Sequence, residues 1–126
     1  MMRVLSTDRA PAAIGPYSQA VEAGGFLFSA GQIGLIPETG EFAGEDVETQ
    51  AAQVFGNLAA ILREAGLSFS DVVKTTVYLA TMDDFPIVNG IYEKHFVAPY
   101  PARSTVAAAG LPKGARVEID VVARRP

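Results

Sequence analysis

Three residues of this 126-residue chain combine a reactive side chain with surroundings that would put it to use. Arg103 follows Pro101-Ala102 at the start of a strand-like run and has only small or apolar neighbours, among them Ser104, Thr105 and Val106. An isolated guanidinium in such a place wants an anion, and its planar fork fits a carboxylate through two parallel hydrogen bonds. A structural ion pair with an acid such as Glu118 satisfies the local sequence equally well. Glu118 alternates with Val117 and Ile119, so it stands on the strand face opposite theirs. If that face meets another subunit, burial raises the carboxyl pKa and makes Glu118 a proton-transfer group; on an edge strand it is a solvated acid. Tyr17, in Gly15-Pro16-Tyr17-Ser18, sits where a rigid turn would hold a phenol at a strand start, although ordinary packing accounts for it too.

Other candidates carry less. The single histidine, His95, falls late in a helical pattern without a fixed partner, which suits a partly exposed helix residue better than a general base. Asp83-Asp84 resembles a pair of catalytic carboxylates, but a helix cap explains it more simply. Gly31-Gln32-Ile33-Gly34 is either a set of turn glycines or backbone brought close to a ligand, and composition leaves both open. No nucleophile elbow, phosphate-binding loop, dinucleotide fingerprint or paired-histidine metal motif is present. Zero cysteines remove disulfides, thiolate zinc sites, iron–sulfur clusters and thiol nucleophiles together, and with one histidine no metal site is expected. A net charge of −4 gives no basic field for a phosphate backbone, so nucleic-acid binding is not expected either.

The elements that must position these residues follow from periodicity. Val4-Leu5 opens a first strand, and Pro11, Gly15 and Pro16 punctuate a loop. Ser18–Glu22 and Phe26–Ala30 read as strands joined by a tight hairpin across Ala23-Gly24-Gly25. From Asp46 to Ala65, Val47, Ala51, Val54, Leu58, Ile61, Leu62 and Ala65 recur at three- and four-residue steps, an amphipathic helix with acidic residues at its start and Gly66 past its end. Asp71–Ala80 is dense in β-formers. Asp83-Asp84 then opens a second helix with Phe85, Val88, Tyr92 and Phe96 on one face, carrying Asn89-Gly90 inside it and ended by Pro99 and Pro101. Strands near Arg103–Ala108 and Arg116–Arg124 close the chain around a Gly110–Gly114 turn. The order predicts a single α+β domain over residues 1–126, a mixed β-sheet with two helices on one face.

Apolar residues make up 49% of the chain and charged ones 19%, against roughly 25% charged in an average domain. With two helices covering one sheet face, the surplus apolar surface points to assembly through the other face. No stretch is apolar enough over about 20 residues to span a bilayer, and the first residues lack the apolar core of a signal peptide. The expectation is a cytoplasmic homo-oligomer.

These segments resemble the RidA (YjgF) family over essentially the whole chain. The likeness rests on Ala12–Gln19, Ser29–Ile33, Asp71–Tyr78, Tyr100–Val106 and Leu111–Ile119, five pieces in the right order. It implies a chorismate-mutase-like subunit assembled as a homotrimer with ligand clefts between neighbouring subunits. It also implies a cofactor-free hydrolysis of reactive 2-imino acids, arising from enamines such as 2-aminoacrylate, to 2-keto acids and ammonia. Such intermediates escape from pyridoxal-phosphate dehydratases. By the same resemblance Arg103 would bind the carboxylate, Glu118 would orient water and Tyr17 would line the cleft. Gly31 would offer backbone to the ligand, and Asn89 would lie near it. Thr105 stands where the family often has cysteine; its N–H could still donate, but no thiol chemistry is possible there. Ala30 replaces a frequent serine. The other functions weighed are a non-catalytic small-carboxylate binder, a chaperone-like trimer, and a relative specialised for another imine or enamine.

Overall fold

Turn chemistry and alternation build the N-terminal half of the sheet. In the computed structural model, which describes residues 1–126, β1 (Arg3–Leu5), β2 (Ala20–Ala23) and β3 (Phe26–Ser29) form an antiparallel meander. Gly24 and Gly25 close the β2–β3 hairpin with φ of +61° and +83°, the left-handed pair that matches strand twist in a two-residue turn. The loop ahead of β2 is pinned by the buried Gln19. Its amide donates to the carbonyls of Thr7, Ala10 and Pro11 and accepts from the Thr7 N–H at 2.7 Å.

Helix α1 (Val47–Glu64) begins where Asp46 accepts a hydrogen bond from the Thr49 N–H at 2.9 Å, and Gly66, with φ +74°, lies just past its end. Its three-to-four period buries Val54, Phe55, Leu58, Ile61 and Leu62 completely or nearly so. Strand β4 (Val72–Leu79), helix α2 (Phe85–Tyr92), β5 (Ala102–Ala107) and β6 (Val117–Arg124) follow. The strand order is β1-β2-β3-β6-β4-β5; only β4 and β5 run parallel, joined through α2. The chain is thus a mixed six-stranded sheet with two helices, as the sequence predicts.

One core joins these layers. Val117, Ile119, Val121 and Ala123 of β6 face the helices with Val77 and Leu79 of β4, and Phe55 of α1 meets Phe69, Tyr92 and Phe96 edge-on. The opposite sheet face carries no helix. It presents Phe28 and Val106, 44% and 46% exposed, beside Lys74, Thr76, Tyr78, Glu118 and Asp120.

Four local expectations change. Helix α2 stops at Tyr92, and a turn carries the chain on, so Phe96 joins the aromatic core from outside the helix. His95 lies in that turn with its ring stacked on Phe55 at 4.3 Å, and burial pulls its pKa below the usual histidine value. Asp84 makes no side-chain cap; it is buried and accepts from Arg116 at 3.0 Å. Arg116, the expected first residue of the last strand, precedes β6 and turns its guanidinium to Asp84. Phe55→Ala removes the centre of the aromatic cluster and is expected to lower stability by about 3–5 kcal/mol, seen as an earlier midpoint in urea unfolding.

Candidate active site

Strand alternation places Glu118 between the buried Val117 and Ile119, so its carboxyl must leave the core on the helix-free face. There it lies directly against Gly31: a Cβ on that glycine would overlap the carboxyl group. The close approach arises because the chain leaves β3 at Ala30 and re-pairs with β6 at Gln32, whose N–H donates to Ile119 O at 2.9 Å. Gly31 thus meets a carboxyl group of its own chain, a close approach that neither reading of the Gly31–Gly34 segment named. Tyr17, held by a turn in which its N–H donates to Gly15 O, completes the surroundings with Ile14, Ile33 and Lys113. Together they line a cavity of about 640 Å³.

Burial is the first cause that pushes the Glu118 pKa above the ordinary carboxylate range, and the neighbouring Asp120 charge is the second. Asp120 is also raised, by burial, although hydrogen bonds from Tyr78 and Thr76 and the charge of Lys74 oppose the shift. Tyr78 sits across from Glu118 in the β4–β6 register and is raised by Asp120 first. A half-buried carboxyl with a raised pKa and no cation partner is suited to exchanging protons with a bound ligand or water.

Arg103 is elsewhere. On β5 it pairs with Thr75, which is buried on the helix side, and its guanidinium extends over α2. The Nη1 group donates to Asn89 Oδ1 at 2.6 Å, and the guanidinium carbon lies 4.7 Å from the Tyr92 ring centre and 5.3 Å from that of Phe85. Asn89 and Arg103 line a second cavity of about 600 Å³ with Tyr92, Glu93, Tyr100 and Pro101. The ion pair with Glu118 that the local sequence allowed does not form. The chain's ion pairs join Arg3 and Arg125 to Glu22 and Arg116 to Asp84.

Within one chain the candidates therefore fall into two groups on opposite sheet faces: Tyr17, Gly31 and Glu118 on one, Asn89 and Arg103 on the other. Thr105, two residues along β5 and paired with Val77, lines neither cavity. Sequence reading missed Lys113, which borders the Glu118 cavity from a left-handed turn at φ 57°, and took Phe85 and Tyr92 for core alone. The Lys113-Gly114 pair marks a turn in the sequence, but only the fold brings that turn beside Glu118.

Comparison with known proteins is consistent along the chain. The family described as Endoribonuclease L-PSP matches residues 7–125. An Arabidopsis thaliana protein named Reactive Intermediate Deaminase A, chloroplastic, is 53% identical over 120 residues, 95% of this chain; the chain spans 64% of that protein's length. A mouse 2-iminobutanoate/2-iminopropanoate deaminase is 49% identical over 121 residues, covering 96% of this chain and 90% of the mouse protein. Among solved structures, RidA from the Antarctic bacterium Psychrobacter sp. PAMC 21119 superposes with a TM-score of 0.93 at 45% identity, over 97% of this chain and 98% of that one. TdcF of E. coli, solved with bound serine, gives 0.92 at 41% identity over 98% and 99%. With its motifs, its fold and these matches in agreement, the chain belongs to the Endoribonuclease L-PSP family, the RidA/YjgF family that its sequence resembles.

Proposed function

We propose that this protein is an imine deaminase, a hydrolase of C=N bonds that converts small 2-imino acids such as 2-iminobutanoate and 2-iminopropanoate to 2-keto acids and ammonia. The observation that carries the reading is the state of Arg103. One edge of its guanidinium is tied to Asn89, whereas Nε and Nη2 make no hydrogen bond within the chain and no acid neutralises it. That side-on fork fits a carboxylate. The relatives named 2-iminobutanoate/2-iminopropanoate deaminase supply the class of the electrophile.

In this reading Arg103 anchors the substrate carboxylate while Asn89 and the Thr105 N–H border it. Tyr17 and the backbone of Gly31 line the other wall, and Glu118 orients a water. The water adds to the carbon of the protonated imine as Glu118 takes its proton, and the C=N electron pair goes to nitrogen. The resulting amino alcohol then expels ammonia as the carbonyl forms, with the proton passed to nitrogen. The imine carbon is already electrophilic, so positioning and proton transfer suffice and no cofactor enters the reaction. Enamines released by pyridoxal-phosphate dehydratases would be the source. Arg103 and Glu118 lie on opposite faces of one sheet, so a working cleft takes one from each of two neighbouring copies. A homotrimer packed through the helix-free face would provide this. The ribonuclease in the family's description fits less well: the net charge is −4, and the lone histidine is stacked on Phe55.

The direct test generates 2-iminobutanoate in situ with threonine dehydratase and follows keto-acid appearance. Wild type is expected to accelerate it, and Arg103→Ala, correctly assembled, to lose about 10- to 100-fold in kcat/KM. Acceleration by neither protein would sink the reading; tight keto-acid binding without turnover would make the chain a carboxylate sensor instead. Glu118→Gln is expected to lose about 10²-fold or more in kcat. The same variant should be more stable than wild type at pH 7. A carboxyl raised by folding above its ordinary 4.5 stabilises the native state only while protonated, so stability falls as pH rises through the folded pKa. The gain in Tm should therefore close as pH drops below 4.5. Phe28→Glu, which touches neither cavity, should yield smaller assemblies by light scattering and lose activity with them.

A further inference from the structure

Arginines used to anchor ligands face a conflict. A flexible guanidinium loses entropy on binding, yet the usual way to hold it, an acid partner, cancels the charge that attracts the ligand. Arg103 is held without an acid. Tyr92 and Phe85 present ring faces to it at 4.7 and 5.3 Å, and Asn89 takes Nη1 at 2.6 Å. The Tyr92 ring is itself fixed, since it is buried and its hydroxyl shares a 2.9 Å hydrogen bond with the buried Thr75 hydroxyl.

An acid is close at hand and is turned to another use. Glu93, one helical turn after Asn89, lines the same cavity but accepts from Asn89 Nδ2 at 3.3 Å and makes no ion pair with Arg103. The amide orientation follows from chemistry alone: guanidinium only donates and carboxylate only accepts, so Oδ1 must face Arg103 and Nδ2 must face Glu93. The helix thus interposes a neutral amide between a carboxylate and the arginine it could have neutralised.

We propose that Phe85, Tyr92 and Asn89 form a charge-neutral cradle that fixes the plane of Arg103 while leaving its positive charge free for a carboxylate ligand, with Phe85 and Tyr92 as positioning residues. The inference rests on Arg103 being the carboxylate anchor. It goes beyond that reading by assigning the anchor's affinity to three neutral groups on α2.

The test is calorimetric binding of 2-oxobutanoate to the assembled protein, alongside KM and kcat in the dehydratase-coupled assay. Phe85→Leu keeps apolar bulk and removes the ring face; affinity should fall about 2- to 5-fold, with KM rising and kcat unchanged. Phe85→Tyr, which restores the face, should bind like wild type. The double variant Asn89→Asp with Glu93→Gln reverses the donor direction and keeps the geometry, but places a charge on Arg103. Its Tm should equal or exceed that of wild type while binding weakens about tenfold. A merely structural role predicts the opposite for this variant: undiminished binding wherever stability is kept.

Wild-type affinity in Phe85→Leu, or in a folded double variant, overturns the cradle. If the double variant fails to assemble, the Phe85 pair decides. The expected order of affinities without any turnover would uphold the cradle and reject the deaminase reading. Turnover that needs Arg103 but ignores both substitutions would do the reverse, and no binding of 2-oxobutanoate by wild type would overturn the cradle.

Discussion

A strand can give only every second residue to one face, and β6 lies between β3 and β4 with both of its edges hydrogen-bonded. That constraint couples the core to the site. Val117, Ile119, Val121 and Ala123 are committed to the helices, so the residues between them have nowhere to go but the other face. A one-residue slip would expose the core row and bury Glu118 and Asp120 together, which the desolvation of two carboxyls forbids. The register that packs α1 is therefore the register that aims Glu118.

The same logic applied to β5 aims Arg103 the other way. Thr75 faces inward to meet Tyr92, its parallel neighbour Arg103 shares that side, and the ring faces of α2 receive the guanidinium. One sheet thus carries an acid on its helix-free face and a base beside its helices. Neither group meets an opposite charge within the chain. Both are left in unsatisfied electrostatic states, Glu118 by burial and Arg103 by neutral partners, and such states belong to sites more often than to scaffolds.

Much of this was legible from residue order. The three-to-four recurrence from Val47 to Ala65 marked α1, and the Gly24-Gly25 pair marked the hairpin, because both signals are local. The alternation around Glu118 gave its face correctly for the same reason. What residue order hides is set by distance along the chain. Nothing near Asp84 announces Arg116, 32 residues later, as its partner, so the acid reads as a cap. The sequence pattern runs past the end of α2 because Phe96 continues the apolar period even though the backbone has already turned. Arg103's partners were out of reach, since Asn89 is 14 residues away and becomes a neighbour only through the parallel β4-α2-β5 crossover.

The separation of Arg103 and Glu118 onto opposite faces also has a genetic consequence. In the proposed trimer each cleft draws its arginine from one chain and its glutamate from the next. A chain lacking the arginine and a chain lacking the glutamate are each inert alone, but co-assembled they are complementary. Every mixed ring places an intact arginine beside an intact glutamate at one of its junctions. Alleles of the two kinds would therefore rescue one another in a heterozygous cell, whereas two alleles damaging the same residue would not. In that assembly the sheet's two faces would be separately inheritable halves of one function.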